Sequence, residues 1–126
     1  ALCEHWGLPH NPKVATCFGG GIGRTGGVCG VLTGSLMALG LLTGSETPKD
    51  AVAKERASRL AREFIEEFRL LKDAVNCNAL TGLDISTAEG HQQMGERKTK
   101  QNVCIPLMRE TMVLMNEFAT KEGLIK

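Results

Sequence analysis

A repeated spacing of apolar residues in the middle of the chain is the strongest constraint on its fold. From Val52 to Val75, apolar residues recur mostly every three or four positions, and charged residues fill much of the space between them. This spacing is typical of an amphipathic α-helix, here about seven turns long. Thr47 is a good N-cap, Pro48 suits the first helical position, and Asp50 lies in the first turn. The expected inner face consists of Val52, Ala57, Leu60, Ala61, Phe64, Ile65, Phe68, Leu71 and Val75.

A second amphipathic pattern lies near the C-terminus. It predicts a helix from near Asn102 to about Lys121, with Pro106 in its first turn. Between the two helices, CNALTGLDISTAEG predicts a turn-rich connection and HQQMGERKTKQN predicts a polar, exposed loop. The inner face of the last helix is expected to consist of Val103, Leu107, Met108, Thr111, Met112, Met115, Phe118 and Ala119.

The segment 26–45 contains twenty residues and no charge. It is long enough to cross a membrane, but its interspersed glycines lower its apolarity and no basic flank marks a cytoplasmic side. We therefore interpret it as a buried central helix and expect no membrane association. Gly30 and Gly34 would leave a flat face on this helix, where a partner helix or a second copy of the chain could pack closely.

The rest of the sequence favours an all-α fold. The 126 residues show no convincing strand pair and no internal repeat, so we expect one compact helical domain over residues 1–126. The chain begins with ALCEHWGL, which is typical of a helix already under way, so we expect a truncated or processed N-terminus. The balance of 15 basic and 14 acidic residues lacks the basic footprint of a nucleic-acid binder, and we expect no nucleic-acid partner.

The glycine-rich stretch CFGGGIGRTGGVCG resembles a phosphate-binding loop only superficially. Residues Gly21–Gly26 match G-x-G-x-x-G, but a charged helix follows where a dinucleotide fold needs a second strand. No Lys-Ser or Lys-Thr follows Gly26, so the pattern is not a P-loop, and no nucleotide is expected. A weaker alternative is an enzyme that binds a small anion through Arg24 and the free amides of Gly21, Gly23 and Gly26. The histidines His5, His10 and His91 are scattered and complete no catalytic set.

Five cysteines are present, so at least one is unpaired within the chain. A long helical chain is not a small disulfide scaffold, and in a reducing cytoplasm, where we place this protein, such cysteines are buried, metal-binding or redox-active. Cys29 and Cys104 lie near expected helix starts, where amides and the helix dipole favour a thiolate. Cys77 has no such help, although a metal could deprotonate it. Neither C-x-x-C nor C-x-x-C-H occurs, which excludes a thioredoxin-like pair and attached haem c.

Three stretches resemble one protein family. They are FGGGIGRTGGVCGVLTGSLMALGL, CNALTGLD and VCIPLM, and the family is that of the putative redox-active proteins denoted C_GCAxxG_C_C after their cysteine pattern. Cys29, with Gly30 and Gly34, resembles the C-G-A-x-x-G stretch of the family, with Val31 in place of Ala. Taken literally, G-C-A-x-x-G falls on residues 21–26, with a different residue in place of the cysteine.

The resemblance also assigns the other cysteines. Cys77 and Cys104 resemble the two later cysteines of the family. The first family cysteine precedes the equivalent of Gly7, and Cys3 is badly spaced for that role. Either Cys17 substitutes for it or the set of ligands is incomplete. The resemblance implies a small helical protein of anaerobic metabolism that has a cysteine-based redox or iron–sulfur role and a redox protein partner.

Two main functions follow as competing hypotheses. In the first, Cys29, Cys77 and Cys104 are metal ligands, with Cys17 as a fourth thiolate, and together they hold an iron–sulfur cluster; a variant uses reversible disulfide chemistry without metal. This hypothesis predicts that the sulfurs converge. In the second, the chain is a non-catalytic helical binding or assembly module whose cysteines only pack, and the face of Gly30 and Gly34 serves a partner or a homo-oligomer. The residues do not decide whether the chain is an enzyme.

Overall fold

The computed structural model describes residues 1–126 and is entirely helical apart from turns and one isolated β-bridge, between Val28 and Asn76. A 3₁₀ segment spans Pro12–Phe18, and a π-helical segment spans Lys100–Cys104. The prediction of an all-α fold is confirmed. The six α-helices are α1 (Leu2–Trp6), α2 (Gly30–Thr43), α3 (Ala51–Lys72), α4 (Cys77–Thr81), α5 (Ala88–Glu96) and α6 (Ile105–Lys121).

Helices α2, α3 and α6 pack against one another and enclose the main core. The rings of Phe64 on α3 and Phe118 on α6 meet edge to face, with centroids 5.5 Å apart, which is a favoured aromatic geometry. Trp6 ties α1 to α6, because its indole N–H donates to the side-chain oxygen of Asn116 at 3.0 Å. The main core contains Leu2, Cys29, Leu32, Ala38, Leu39, Leu60, Phe64, Phe68, Leu107, Met115 and Phe118.

The long helix α3 begins later than the sequence predicts. Its N-cap is Asp50, whose side chain accepts a hydrogen bond from the amide of Ala53 at 3.0 Å. Thr47 lies outside the helix, where its hydroxyl oxygen accepts a hydrogen bond from the amide of Lys49 at 3.3 Å. A carboxylate accepts amide hydrogen bonds strongly, so the acidic residue replaces the threonine as the cap. Val52 is 82 % exposed, so the buried side of α3 starts beyond its first turn.

The segments predicted as connections between α3 and α6 are largely helical. The predicted turn-rich region contains α4, and the region predicted as a polar loop contains most of α5 and the π-helical segment. Thr87 caps α5 by accepting a hydrogen bond from the amide of Gly90 at 2.9 Å. A second, smaller core forms here from Cys77, Leu83 and Ile85. The segment is largely exposed, as predicted, but it is helical and not a loop. A capped polar helix shows little hydrophobic periodicity in its sequence, so the pattern did not reveal it.

The glycine-rich central helix α2 is buried along one side only. Leu32 and Leu39 are 1 % and 2 % exposed and pack into the main core. Gly34 and Gly40 are exposed, and a Cβ built on either would meet no other atom within 4 Å. The predicted central helix is therefore present, but its glycine face is open. No helix of the protein combines the length and the apolarity that a membrane span requires.

Candidate functional site

A short antiparallel pairing brings Cys29 and Cys77 together. The amide of Cys29 donates to the carbonyl of Val75 at 2.8 Å, and the amide of Cys77 donates to the carbonyl of Gly27 at 2.6 Å. These bonds flank the bridge between Val28 and Asn76. Because side chains alternate along paired strands, both cysteines project to the same side of this pairing. Cys29 belongs to the main core and Cys77 to the smaller one, so the two thiols lie where the cores meet.

The glycine-rich loop packs directly on this pairing. Gly21 has a φ of +67°, and a Cβ on it would lie 2.8 Å from the Cβ of Cys77. Gly26 has a φ of +77°, and a Cβ on it would lie 2.3 Å from the side-chain oxygen of Asn78. A side chain at Gly21 would push the loop away from Cys77, and one at Gly26 would displace the side chain of Asn78. The glycines therefore serve close packing next to a cysteine.

The same loop offers only one of the three free amides that the anion hypothesis assumed, that of Gly21. The amide of Gly23 donates to the carbonyl of Cys17 at 2.8 Å, and that of Arg24 donates to Gly19 at 3.1 Å. The amide of Gly26 donates to the carbonyl of Gly20 at 3.1 Å. For Gly23 and Gly26 the assumption is wrong, because hydrogen bonds inside the loop consume these donors. An anion site here would depend on the Arg24 side chain and the amide of Gly21.

Cys104 approaches from the π-helical segment, which contacts α4. Pro106 has no N–H for the carbonyl four residues earlier, and its ring would crowd that carbonyl in a regular α-helix. The wider π turn immediately before it relieves this crowding. Cys104 itself is helical, with φ −67° and ψ −45°, so the backbone runs through it without a free helix start. The predicted dipole assistance at Cys104 is therefore wrong, since its amide lies inside continuous helical backbone.

The three thiols share one electrostatic environment. The pKa of Cys77 is raised from 9.0 to about 11, first by burial and then by the nearby Cys29 and Cys104. The pKa of Cys104 is also raised, first by burial and then by Cys29, while the positive charge of Lys100 acts in the opposite direction. Charged thiolates are disfavoured in such a site, because each one lacks solvent and repels its neighbours. In the metal-free protein Cys77 and Cys104 are thus protonated at neutral pH.

The remaining cysteines lie outside this group. Cys17 is exposed in the 3₁₀ segment, and Cys3 is half-buried against the main core. Neither contributes to the pKa of Cys77 or Cys104. All five cysteines are free thiols. No three His, Cys, Asp or Glu side chains are placed to hold one metal ion together.

The chain matches the family model described as putative redox-active protein (C_GCAxxG_C_C) over residues 1–118. The chain belongs to this family. No curated protein and no solved structure matches it. In this C_GCAxxG_C_C protein, three of the four cysteines that the sequence resemblance selected, Cys29, Cys77 and Cys104, influence one another, whereas the fourth, Cys17, is exposed outside the group.

Several features of the site have no clear signal in the sequence. The Val28–Asn76 pairing involves too few residues to produce an alternating pattern. Lys100 belongs to the predicted solvated loop, and only the π-helical turn reveals that it acts on Cys104. The unusual number of glycines before Cys29 was the one available indication that backbone packs tightly near a cysteine.

Proposed function

We propose that this protein is a redox carrier in which Cys29, Cys77 and Cys104 bind an iron–sulfur cluster. The observation that carries the proposal is the mutual proximity of the three thiols. Cys77 interacts electrostatically with both of the others, and Cys104 interacts with Cys29. They come from the start of α2, the start of α4 and the π-helical segment, so only the tertiary fold brings them together. Cysteines that merely fill a core have no reason to converge in this way.

The spacing of the thiols favours a cluster over a single ion. A tetrahedral zinc site with Zn–S bonds of about 2.3 Å places its sulfurs about 3.8 Å apart. The side chains here are close enough to shift one another's pKa, but no three of them are placed to share one ion. In a [4Fe–4S] cluster each thiolate binds a different iron, so the ligand sulfurs are farther apart. When bound, such a cluster accepts and releases one electron at a time.

The same geometry argues against a disulfide between Cys29 and Cys77. They occupy diagonal positions of the antiparallel pairing, for which Cα atoms are about 7–8 Å apart. A disulfide needs Cα atoms roughly 4.4–6.8 Å apart. Closing the bond would require the backbone around the Val28–Asn76 bridge to shift. Two backbone hydrogen bonds and the close packing of Gly21 and Gly26 hold this backbone in place.

The chain supplies protonated thiols and a water-poor environment. Cys29 and Cys77 are buried, and burial is the main cause of the raised pKa of Cys77. Bound cationic iron would offset both the desolvation and the mutual repulsion of the thiolates, so loading should release protons. Three ligands leave one position of a four-cysteine cluster to another donor. Cys17 stays the prediction for that position.

Anaerobic purification followed by iron and sulfide analysis tests the proposal. We expect stoichiometric iron and acid-labile sulfide, with visible absorption that bleaches on reduction. Cys29→Ser, Cys77→Ser and Cys104→Ser should each lose most of the iron, whereas Cys3→Ser is the matched control and should keep it. Iron loss in Cys17→Ser would identify the fourth ligand.

A protein that folds, contains all its thiols in reduced form and takes up no iron under reconstitution would overturn the proposal. Thiol counting before and after mild oxidation then distinguishes the alternatives. Loss of two thiols that maps to two of the clustered cysteines would indicate disulfide chemistry. Unchanged thiols would indicate cysteines that only pack.

A further inference from the structure

Five consecutive residues of the glycine-rich loop have a left-handed backbone, with φ between +59° and +69°; they are Gly20, Gly21, Ile22, Gly23 and Arg24. We call residues 20–24 the left-handed turn. Residues other than glycine enter this region singly and at a cost, and a β-branched residue such as Ile22 is an outlier there. The turn is therefore strained at Ile22 and Arg24, and such strain is typical of segments that move or bind.

The left-handed turn covers Cys77. Gly21 is buried, and a Cβ on it would lie 2.8 Å from the Cβ of Cys77, so the backbone of the turn is in contact with this side chain. Cys77 itself is only 7 % exposed. The turn belongs to no helix, so moving it outwards would uncover Cys77 and leave every helix intact.

Few contacts hold the turn on the rest of the protein. All hydrogen bonds of residues 20–24 have their partners within residues 17–27. Ile22 is 45 % exposed and belongs to neither hydrophobic core, and Arg24 is also exposed. Segments with little apolar burial and exposed hydrogen bonds open at the lowest cost in free energy. The turn has both properties.

The Thr25 side chain stabilises the closed turn. Its hydroxyl donates to the carbonyl of Ile22 at 2.7 Å and lies 2.9 Å from the carbonyl of Gly21, to which it also donates. Both acceptors belong to the turn, whereas Thr25 follows it. Removing this hydroxyl would therefore loosen the turn without touching Cys77.

The two ends of the turn differ in mobility. Gly19 has φ −64° and ψ 150°, which any residue adopts, and a Cβ on it would meet nothing within 4 Å. Neither conformation nor packing requires glycine there, so what glycine adds at this position is the freedom of a hinge. At the other end the backbone is fixed, because the carbonyl of Gly27 accepts from the amide of Cys77 at 2.6 Å.

We infer that the left-handed turn is a lid over Cys77, which opens about Gly19 and admits small solutes to the thiol while the helical core stays folded. The strain at Ile22 favours opening, and the Thr25 hydroxyl opposes it. Such a lid gives metal ions and thiol reagents a route to a buried sulfur that does not require unfolding. The inference concerns access to Cys77 and does not depend on whether the site binds iron.

The test measures how fast iodoacetamide alkylates Cys77 in the reduced, metal-free chain, as read by peptide mass spectrometry. Thr25→Val removes the hydroxyl and keeps the shape of the side chain, so alkylation should be about three- to tenfold faster. Thr120→Val is the matched control. It removes a similar local hydrogen bond, from the Thr120 hydroxyl to the carbonyl of Asn116 at 2.8 Å on α6, and should leave the rate unchanged.

A second pair of variants acts in the opposite direction, by relieving strain. Asparagine tolerates the left-handed region far better than isoleucine, so Ile22→Asn should slow the alkylation of Cys77 about three- to tenfold. Lys98 is also left-handed, with φ +49°, and is exposed outside the loop, so Lys98→Asn should not change the rate. If Cys77 reacted only after global unfolding, each variant would act like its control, and that result would overturn the inference.

Hydrogen exchange makes the same comparison without a thiol reagent and on the chain as purified, with or without metal. Amides within residues 17–27 should exchange faster in Thr25→Val and slower in Ile22→Asn, while those of α3 should not change. Thermal unfolding shows that each variant folds. Unchanged exchange within residues 17–27 in both variants would overturn the lid, whereas a lack of iron would overturn only the proposed cluster.

Discussion

Gly21 lies directly against Cys77, so closely that a Cβ on Gly21 would come within 2.8 Å of the Cβ of Cys77 and within 2.5 Å of the backbone of Gly27. The φ of Gly21 is +67°, in the left-handed region. Glycine alone meets both requirements. The glycine-rich loop therefore acts as a tight backbone support for one thiol of the cluster, and this contact can be tested directly.

Replacing Gly21 by alanine should destabilise the protein strongly. The left-handed φ costs an alanine about 1–2 kcal/mol, and the forced contact with Cys77 and Gly27 adds about 1–3 kcal/mol. We expect the free energy of unfolding to fall by about 2–5 kcal/mol in total, measured by urea denaturation of the reduced protein.

Gly23→Ala is the matched control for Gly21→Ala. Its φ of +60° is similar, but a Cβ on Gly23 would meet nothing within 4 Å. It should therefore show only the backbone cost of about 1–2 kcal/mol. Equal losses in the two variants would mean that packing against Cys77 contributes nothing.

The start of α3 gives a second prediction. Asp50→Ala removes the side chain that accepts the amide of Ala53, and it should lower the free energy of unfolding by about 1 kcal/mol. Thr47→Ala removes the side chain that the sequence pattern predicts as the N-cap. This variant should change the free energy of unfolding by less than about 0.5 kcal/mol. Urea denaturation of both variants measures the difference. A larger loss for Thr47→Ala would place the functional cap where the sequence pattern puts it.

The two long helices were predictable because their stability depends on patterns that local sequence contains. Phe64 and Phe68 on α3 are buried, as are Leu107 and Met115 on α6, and all four occupy predicted inner positions. The ends were less predictable, since several residues compete for the same cap. Helix α5 escaped prediction because its residues are mostly polar, and its cap at Thr87 is a single local contact.

The candidate site was predictable only in part. The family resemblance selected Cys29, Cys77 and Cys104 with Cys17 as a fourth thiolate; the first three influence one another, but Cys17 is exposed outside the group. What brings them together is a pair of backbone hydrogen bonds and a π-helical turn, and neither has a sequence pattern of its own. The expected thiolate at Cys104 failed for the same reason, because the helix start near Pro106 proved to be continuous helical backbone.

In the reduced, metal-free protein, the rate at which each cysteine is alkylated should depend on both its exposure and its pKa. A pKa of about 11 in place of 9.0 lowers the thiolate fraction of Cys77 about a hundredfold at neutral pH, and Cys77 is 7 % exposed. Exposed Cys17 should therefore react with iodoacetamide well before Cys77, as read by peptide mass spectrometry. Denatured protein is the control, in which the two should react at similar rates. Equal rates for Cys17 and Cys77 in the folded protein would show that the Cys77 thiol is open to solvent.

The raised pKa of Cys77 also predicts how stability depends on pH. The folded state favours the protonated thiol, so its contribution is complete below pH 9.0 and is lost as the pH rises towards 11. Metal-free wild-type protein should therefore lose stability across this interval by more than Cys77→Ser does, when urea midpoints are compared at each pH. Cys17→Ser should lose as much stability as the wild type, because it removes an exposed thiol and leaves Cys29, Cys77 and Cys104 unchanged. All other ionisable groups outside the substituted cysteines are common to the three proteins, so only the difference between the curves reports on Cys77. Parallel curves for wild type and Cys77→Ser would show that burial and the neighbouring thiols do not hold this proton.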